Sequence, residues 1–274
     1  MTAETHDDAR ARMRPYVERA RDFTGWINFP SARKLDPIPW DYSERARSLA
    51  QHSSRILDIG TGGGERFART LKDSGPPSPQ AAAWRVAKRR RGLGGGVHAV
   101  ATEEWPTNVP VAANTLAPLK GQVVHCQDEL LPFGPNSFDL ILNRHSSLDP
   151  ADIARILTPG GTVLTQQVGN DNWDDIRPYF PQKTDWGDHY TRYREGFLAA
   201  GLTLVEARQH KTPAAFESLG EFVYCLCVAN WEAPGLDPLG ADLDTLLQME
   251  RDLTTPEGFV VTETRYILEA HKPR

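Results

Sequence analysis

The sequence predicts an α/β protein built on a doubly wound, mostly parallel sheet, and three observations carry that expectation. An apolar run, Arg55-Ile56-Leu57-Asp58-Ile59, leads into Gly60-Thr61-Gly62-Gly63-Gly64 and then a helix-like stretch from Glu65 to Lys72. From residue 55 onward, strand-like and helix-like segments alternate, the order that buries a parallel sheet under crossover helices. Third, Asp149-Pro150-Ala151-Asp152 opens a helix with Ile153, Ile156 and Leu157 inward, and Pro159-Gly160-Gly161 stops it.

The remaining elements follow along the chain. Before the sheet, Tyr16, Val17, Ala20 and Phe23 recur at helical spacing, with Pro15 suited to a first turn. Asp41-Tyr42-Ser43-Glu44 has the form of a capping box, followed by Ala46, Leu49 and Ala50 on one face. Between these helices lies a connector rich in proline and aromatics: Trp26, Phe29, Pro30, Pro37, Pro39 and Trp40. It either packs against the sheet or covers the ligand cleft. Val97 to Thr102 reads as a second strand ending at Glu103. A third precedes the loop His125 to Leu130. The fourth, through Leu140-Ile141-Leu142, ends at Asn143-Arg144-His145, with Asp139 fixing the turn into it. Gln166 and Gln167 close the fifth and point in opposite directions. Tyr190, Tyr193, Phe197 and Leu198 form a helical face that Gly201 ends. Leu202 to Val205 and Phe259 to Ala270 read as strands, with helices near 219–231 and 241–253 between them.

Bulk properties exclude several classes. A net charge of −5 offers no general attraction to nucleic acid or anionic membranes. There is no run of 18 apolar residues, and the polar N-terminus does not read as a signal peptide. Cys126, Cys225 and Cys227 are odd in number, which fits a reducing, cytoplasmic setting. Cys225 and Cys227 sit in an apolar run and read as small buried hydrophobes, so no metal site is expected.

The glycine spacing narrows the ligand. A dinucleotide fingerprint, G-x-G-x-x-G, would need its third glycine at position 65, which is Glu65. A carboxylate there opposes a pyrophosphate at the helix start. Asp58-Ile59-Gly60-Thr61-Gly62-Gly63-Gly64 instead resembles motif I of the class I S-adenosylmethionine-dependent methyltransferases. Leu131-Pro132-Phe133 with Asn136 to Leu142, and Leu157-Thr158-Pro159-Gly160-Gly161-Thr162-Val163-Leu164, are similar to later segments of that family, in order, over residues 54–168. Pro39-Trp40-Asp41-Tyr42, Leu142-Asn143-Arg144-His145 and Thr165-Gln166-Gln167-Val168-Gly169 resemble a bacterial subgroup of it.

The resemblance implies a Rossmann-like sheet of seven strands with an antiparallel last strand, N-terminal helices and a helical insertion near the C-terminus. It implies one domain over 1–274: a helical extension (1–53), a cofactor core (54–168) and a C-terminal part (169–274) that completes the sheet and walls the acceptor pocket. The cofactor would be S-adenosyl-L-methionine. Gly60, Gly62 and Gly64 would let the main chain, with Thr61, lie against it, and Asp58 would orient that loop and favour the ammonium. Glu103 would take both ribose hydroxyls, with Glu104 as competitor. Trp105 stacks on adenine or belongs to the core. Asp128, or Gln127 beside it, would meet the adenine amino group.

Asn143, Arg144 and His145 would then face the acceptor, Asn143 also touching the cofactor, His145 as a base and Arg144 as a bidentate partner for a carboxylate. The partner expected is a small-molecule acceptor, methylated at O, N, S or C, with Tyr and Trp content favouring an aromatic or apolar one. An RNA methyltransferase and a non-catalytic S-adenosylmethionine-binding protein are the alternatives. One stretch departs from the family: residues 75–96 are proline-rich, then basic (Arg85, Lys88, Arg89, Arg90, Arg91), then glycine-rich. This insertion reads as a solvated excursion rather than a nucleic-acid arm. The sequence does not specify an oligomeric state.

Overall fold

A computed structural model of the chain describes residues 4–24, 29, 32–74 and 98–274. The insertion at 75–96 and part of the aromatic connector (Trp26, Pro30) lie outside the described residues. The elements are α1 (His6–Arg21), β1 (Arg33–Lys34), α2 (Tyr42–Gln51), β2 (Arg55–Ile59), α3 (Glu65–Asp73), β3 (His98–Glu103), α4 (Val109–Leu116), β4 (Gln122–His125) and β5 (Phe138–Arg144). They continue with α5 (Pro150–Ile156), β6 (Leu157–Val168), α6 (His189–Ala199), β7 (Thr203–Phe216), α7 (Leu219–Val228), α8 (Leu243–Leu253), β8 (Thr254–Thr255) and β9 (Gly258–His271).

Local chemistry explains where these elements begin. Thr5 and Asp8 form a reciprocal capping box, each accepting the other's N–H at 3.2 Å. It starts α1 upstream of the expected position and leaves Pro15 inside the helix. Pro15 is tolerated there on the solvent face, where the carbonyl it strands can reach water. Asp41 caps α2 by accepting the Glu44 N–H at 3.0 Å, which is half of the expected box. Asp149 caps α5 through the Asp152 N–H at 2.8 Å. On α6, Tyr193 and Phe197 point inward, whereas Leu198 is 52% exposed. The neighbour of a buried helical position is rotated by about 100°, so Leu198 leaves the predicted face.

The strand order is β1-β7-β9-β6-β5-β2-β3-β4, with β8 paired to β9, which makes nine strands rather than seven. Strands β4, β3, β2, β5 and β6 are parallel. The last strand, β9, runs antiparallel to both β6 and β7, as expected. The two additional strands arise because β7 and β9 are 14 residues long and outrun β6. Pairing of β6 with β9 stops at Val168↔Arg265, while β7 and β9 continue to Phe216↔Phe259. Strand β1 covers the free edge of this extension through Lys34↔Ala214, and β8 folds back on its tip through Thr254↔Phe259.

The extension carries its own apolar cluster, in which Met13, Trp173, Phe216, Phe222, Met249 and Phe259 are buried together. Cys225 is buried in it and Cys227 packs against it. Two other clusters flank the sheet proper. One joins Ile56, Leu140, Leu142, Leu164 and Ile267 to α2, α3 and α4. The other joins Leu57, Ile141 and Val163 to α5 and α6. Strand β2 pairs with β3 on one side and β5 on the other, so the order reverses there. In open α/β sheets the crevice at the carboxyl ends of such strands holds the ligand. Among the described residues no helix is long and apolar enough to cross a membrane.

Candidate active site

The chain leaves β2 through a bend in which Gly60, Gly62 and Gly64 take φ of 66°, 62° and 81°. A side chain at Gly60 is excluded for a second reason: its Cβ would collide with the Ser146 side chain. The bend is therefore pressed against the turn that follows β5. It is tied to β3 as well, since the Thr61 N–H donates to Thr102 O at 2.9 Å and the Gly60 N–H to Thr102 Oγ1 at 3.3 Å.

Three carboxylates surround this bend. Glu103, buried at the end of β3, accepts the Gly62 N–H at 2.7 Å and the Trp105 N–H at 2.9 Å. Asp128, buried after β4, accepts from the Ser146 hydroxyl and, at 3.4 Å, from the Thr102 hydroxyl. Asp58 lies on β2 itself. Burial, with Asp128 and Glu103 nearby, pushes Asp58 up to about 7. Burial and Glu103 push Asp128 up to about 6, and burial raises Glu103. Three acids that resist ionisation together form a site that gains from a cation and from hydrogen-bond donors.

The neighbouring residues sort clearly. Glu104 is exposed, so Glu103 is the acid that faces the bend. Trp105 is 39% exposed and is a surface residue rather than a core one. Gln127 is exposed beside the buried Asp128. Asp139 acts at the opposite edge of the sheet, where it accepts the Ser54 and Arg55 N–H groups at 3.0 and 2.9 Å and anchors the start of β2.

The three residues that end β5 have different environments. Asn143 is fully buried, and its Oδ1 accepts from Thr165 Oγ1 at 2.7 Å and from Gln167 Nε2. Gln167 Nε2 also donates to Ser146 O at 2.7 Å, so this network shapes the turn. Arg144, partly buried, projects to the other face, near Tyr42 at the start of α2 and Arg66 in the first turn of α3. Burial and then Arg66 lower its pKa to about 10, which leaves it charged at neutral pH.

His145 takes a left-handed φ of 61°, and its N–H donates to Gln166 O at 2.9 Å. It is an exposed residue directly after β5. Burial and the cations Arg144, Arg265, Arg66 and Lys34 hold it well below the usual histidine range, so it is neutral at pH 7. Gln166 accepts from Trp40 Nε1 at 2.8 Å, which brings the connector before α2 over the cleft.

Sequence reasoning missed Thr102, Ser146, Tyr42, Arg66 and the β9 pair Glu263 and Arg265. Tyr42 stands in the Pro39-Trp40-Asp41-Tyr42 segment without a site role assigned to it, and folding gathers the others from separate segments. Ser146 alone lay beside a motif, directly after Asn143-Arg144-His145.

No family model matches the sequence, and no curated protein matches it. Solved structures do. A candidate methyltransferase from Bacillus halodurans aligns at a TM-score of 0.53 and 14% identity, covering 85% of this chain and 97% of that one. The YcgJ protein of Bacillus subtilis aligns at 0.53 and 14%, covering 85% and 98%. A candidate sarcosine dimethylglycine methyltransferase from Galdieria sulphuraria aligns at 0.50 and 15%, covering 97% and 99%. The chain has the Rossmann-like fold of class I methyltransferases.

Proposed function

We propose that this protein is an S-adenosyl-L-methionine-dependent methyltransferase that acts on a small molecule at O, N, S or C. The observation that carries the reading is the trio Asp58, Glu103 and Asp128 around a bend that no side chain at Gly60 could enter. S-adenosylmethionine fits such a cradle: it is cationic at ammonium and sulfonium, its ribose and adenine donate hydrogen bonds, and it supplies a methyl group already activated for in-line displacement. The candidate residues are Asp58 and the main chain of Gly60, Thr61, Gly62 and Gly64, with Glu103 toward the ribose and Trp105 toward the adenine.

Both Asp128 oxygens already accept hydroxyls of this chain, so Asp128 holds the two loops together. Each carboxylate oxygen keeps a further lone pair, so Asp128 is still the first candidate for the adenine amino group, with the exposed Gln127 beside it. Asn143 acts by shaping the turn and does not touch the acceptor in this reading. Neutral His145 takes the proton that an O, N or S acceptor loses as its bond to carbon forms. Trp40, bonded to Gln166, borders the cleft, and the protein's contribution is alignment of an acceptor lone pair at about 3–3.5 Å from the methyl carbon.

Calorimetry with S-adenosylmethionine and its demethylated product, followed by a methyl-donor turnover assay across a metabolite panel, tests the proposal. Saturable binding of both, weakened by substitution of Asp58 and Glu103, is the expected result. Absence of binding at saturating ligand, or binding of a nicotinamide dinucleotide instead, overturns it.

A further inference from the structure

The cleft is electrically divided, and its second half bears on the acceptor. Leu142 on β5, Leu164 on β6 and Ile267 on β9 share one buried cluster. Side chains alternate along a strand, so two residues nearer the carboxyl edge the same face presents Arg144, Gln166 and, on the reversed β9, Arg265. Arg265 is neutralised there, donating to Glu263 at 2.7 Å and to Asn172 at 2.6 Å. Lys34 reaches the same Glu263 oxygen at 2.5 Å, so one carboxylate serves two cations.

Arg144 is different. Among the described residues its guanidinium has no hydrogen bond and no ion pair, although it is partly buried and Arg66 stands near it. A guanidinium withdrawn from water without a hydrogen-bonded counter-ion is held at a free-energy cost, and an anion bound directly to it would relieve that cost. The planar fork of arginine matches an oxyanion in two contacts. Asp58 and Glu263 act on Arg144 through space without touching it, while Arg66 and Arg265 oppose them, and the four cations Arg144, Arg265, Arg66 and Lys34 act together on His145.

We infer that the methyl acceptor is an oxyanion-bearing small molecule whose acidic group docks on Arg144 while its nucleophilic atom faces His145. That it is an acceptor rests on the methyltransferase reading; that the site takes an anion does not.

Two arms test the inference. The first follows the His145 ring protons by NMR against pH, with sulfate, succinate or matched chloride as probes. Sulfate or succinate is expected to raise the His145 midpoint by about one unit in the wild type, since it offsets a nearby positive charge, and to leave Arg144→Gln unmoved. A dicarboxylate effect without a sulfate effect would mark a carboxylate site, and the reverse a phosphate-like one. An unmoved midpoint with both probes overturns the anion site, whether or not the methyl donor binds.

The second arm uses the wild-type protein with carboxylic and phosphoric acids and their neutral amides or esters as methyl acceptors. Turnover of the acids at least about 100-fold above their neutral forms, with KM rather than kcat raised in Arg144→Lys, is expected for a lost bidentate contact. Equal turnover of the neutral forms overturns the inference. Failure of both donor binding and turnover would instead count against the methyltransferase reading.

Discussion

Replacing Asp58 by asparagine should make the protein more stable at alkaline pH and worse at holding a cationic ligand. Burial and its acidic neighbours lift Asp58 from 3.8 to about 7. A three-unit shift corresponds to roughly 4 kcal/mol at about 1.4 kcal/mol per unit. The side chain keeps some solvent access, so screening reduces this to about 2 kcal/mol. The sign follows from proton binding: between pH 3.8 and 7 the native state holds more protons at this site than the unfolded chain. Wild-type stability therefore falls as pH rises through that window. The amide of Asp58→Asn cannot ionise, so the advantage of the variant is near zero at about pH 4 and complete above pH 7.

Urea titrations across this range measure the difference through the midpoint at constant m. A cation that binds beside Asp58 should also displace its proton, so donor affinity in the wild type rises with pH toward 8. In Asp58→Asn that slope disappears and affinity drops roughly 10–100-fold, the equivalent of a charge-assisted contact of about 1.5–3 kcal/mol. A variant no more stable than wild type at pH 8, or one with unchanged affinity, refutes the reasoning.

Other perturbations separate the scaffold from the site. Gly60→Val forces a β-branched residue to a φ of 66° and into Ser146, so thermal denaturation should show a loss of about 2–4 kcal/mol and calorimetry a loss of donor binding. Retained stability would mean that the bend is not packed as described. Arg45→Ala removes the bidentate partner, at 2.7 and 2.6 Å, of Glu269, which is 1% exposed; a drop of about 3 kcal/mol in chemical denaturation is expected, and a change under about 0.5 kcal/mol contradicts it. Trp105→Ala should leave the unfolding midpoint nearly unmoved while weakening the adenosyl ligand by roughly 5–100-fold, the range of base stacking on an aromatic ring. Equal affinity in calorimetry would reduce Trp105 to an ordinary surface residue.

The sequence by itself determined whatever depends on near neighbours along the chain. The strand-bend-helix unit at 55–73, the cap at Asp149, the end of α6 at Gly201 and the orientation of Glu103 over Glu104 all follow from local sterics, capping and alternation. Pro15 and Leu198 were misplaced because a cap upstream and the rotation of a helix face overrode the local pattern. Tertiary structure alone decided the parts that join distant segments. It set the length by which β7 and β9 outrun β6, and hence strands β1 and β8. It turned Asp128 toward Ser146 and Thr102, and Asn143 toward Gln167. It also placed Arg144 without a contacting counter-ion among the described residues while Glu263 serves Lys34 and Arg265. Charge balance across a cleft is a property of distances between strands, and residue spacing in one dimension carries no record of those distances.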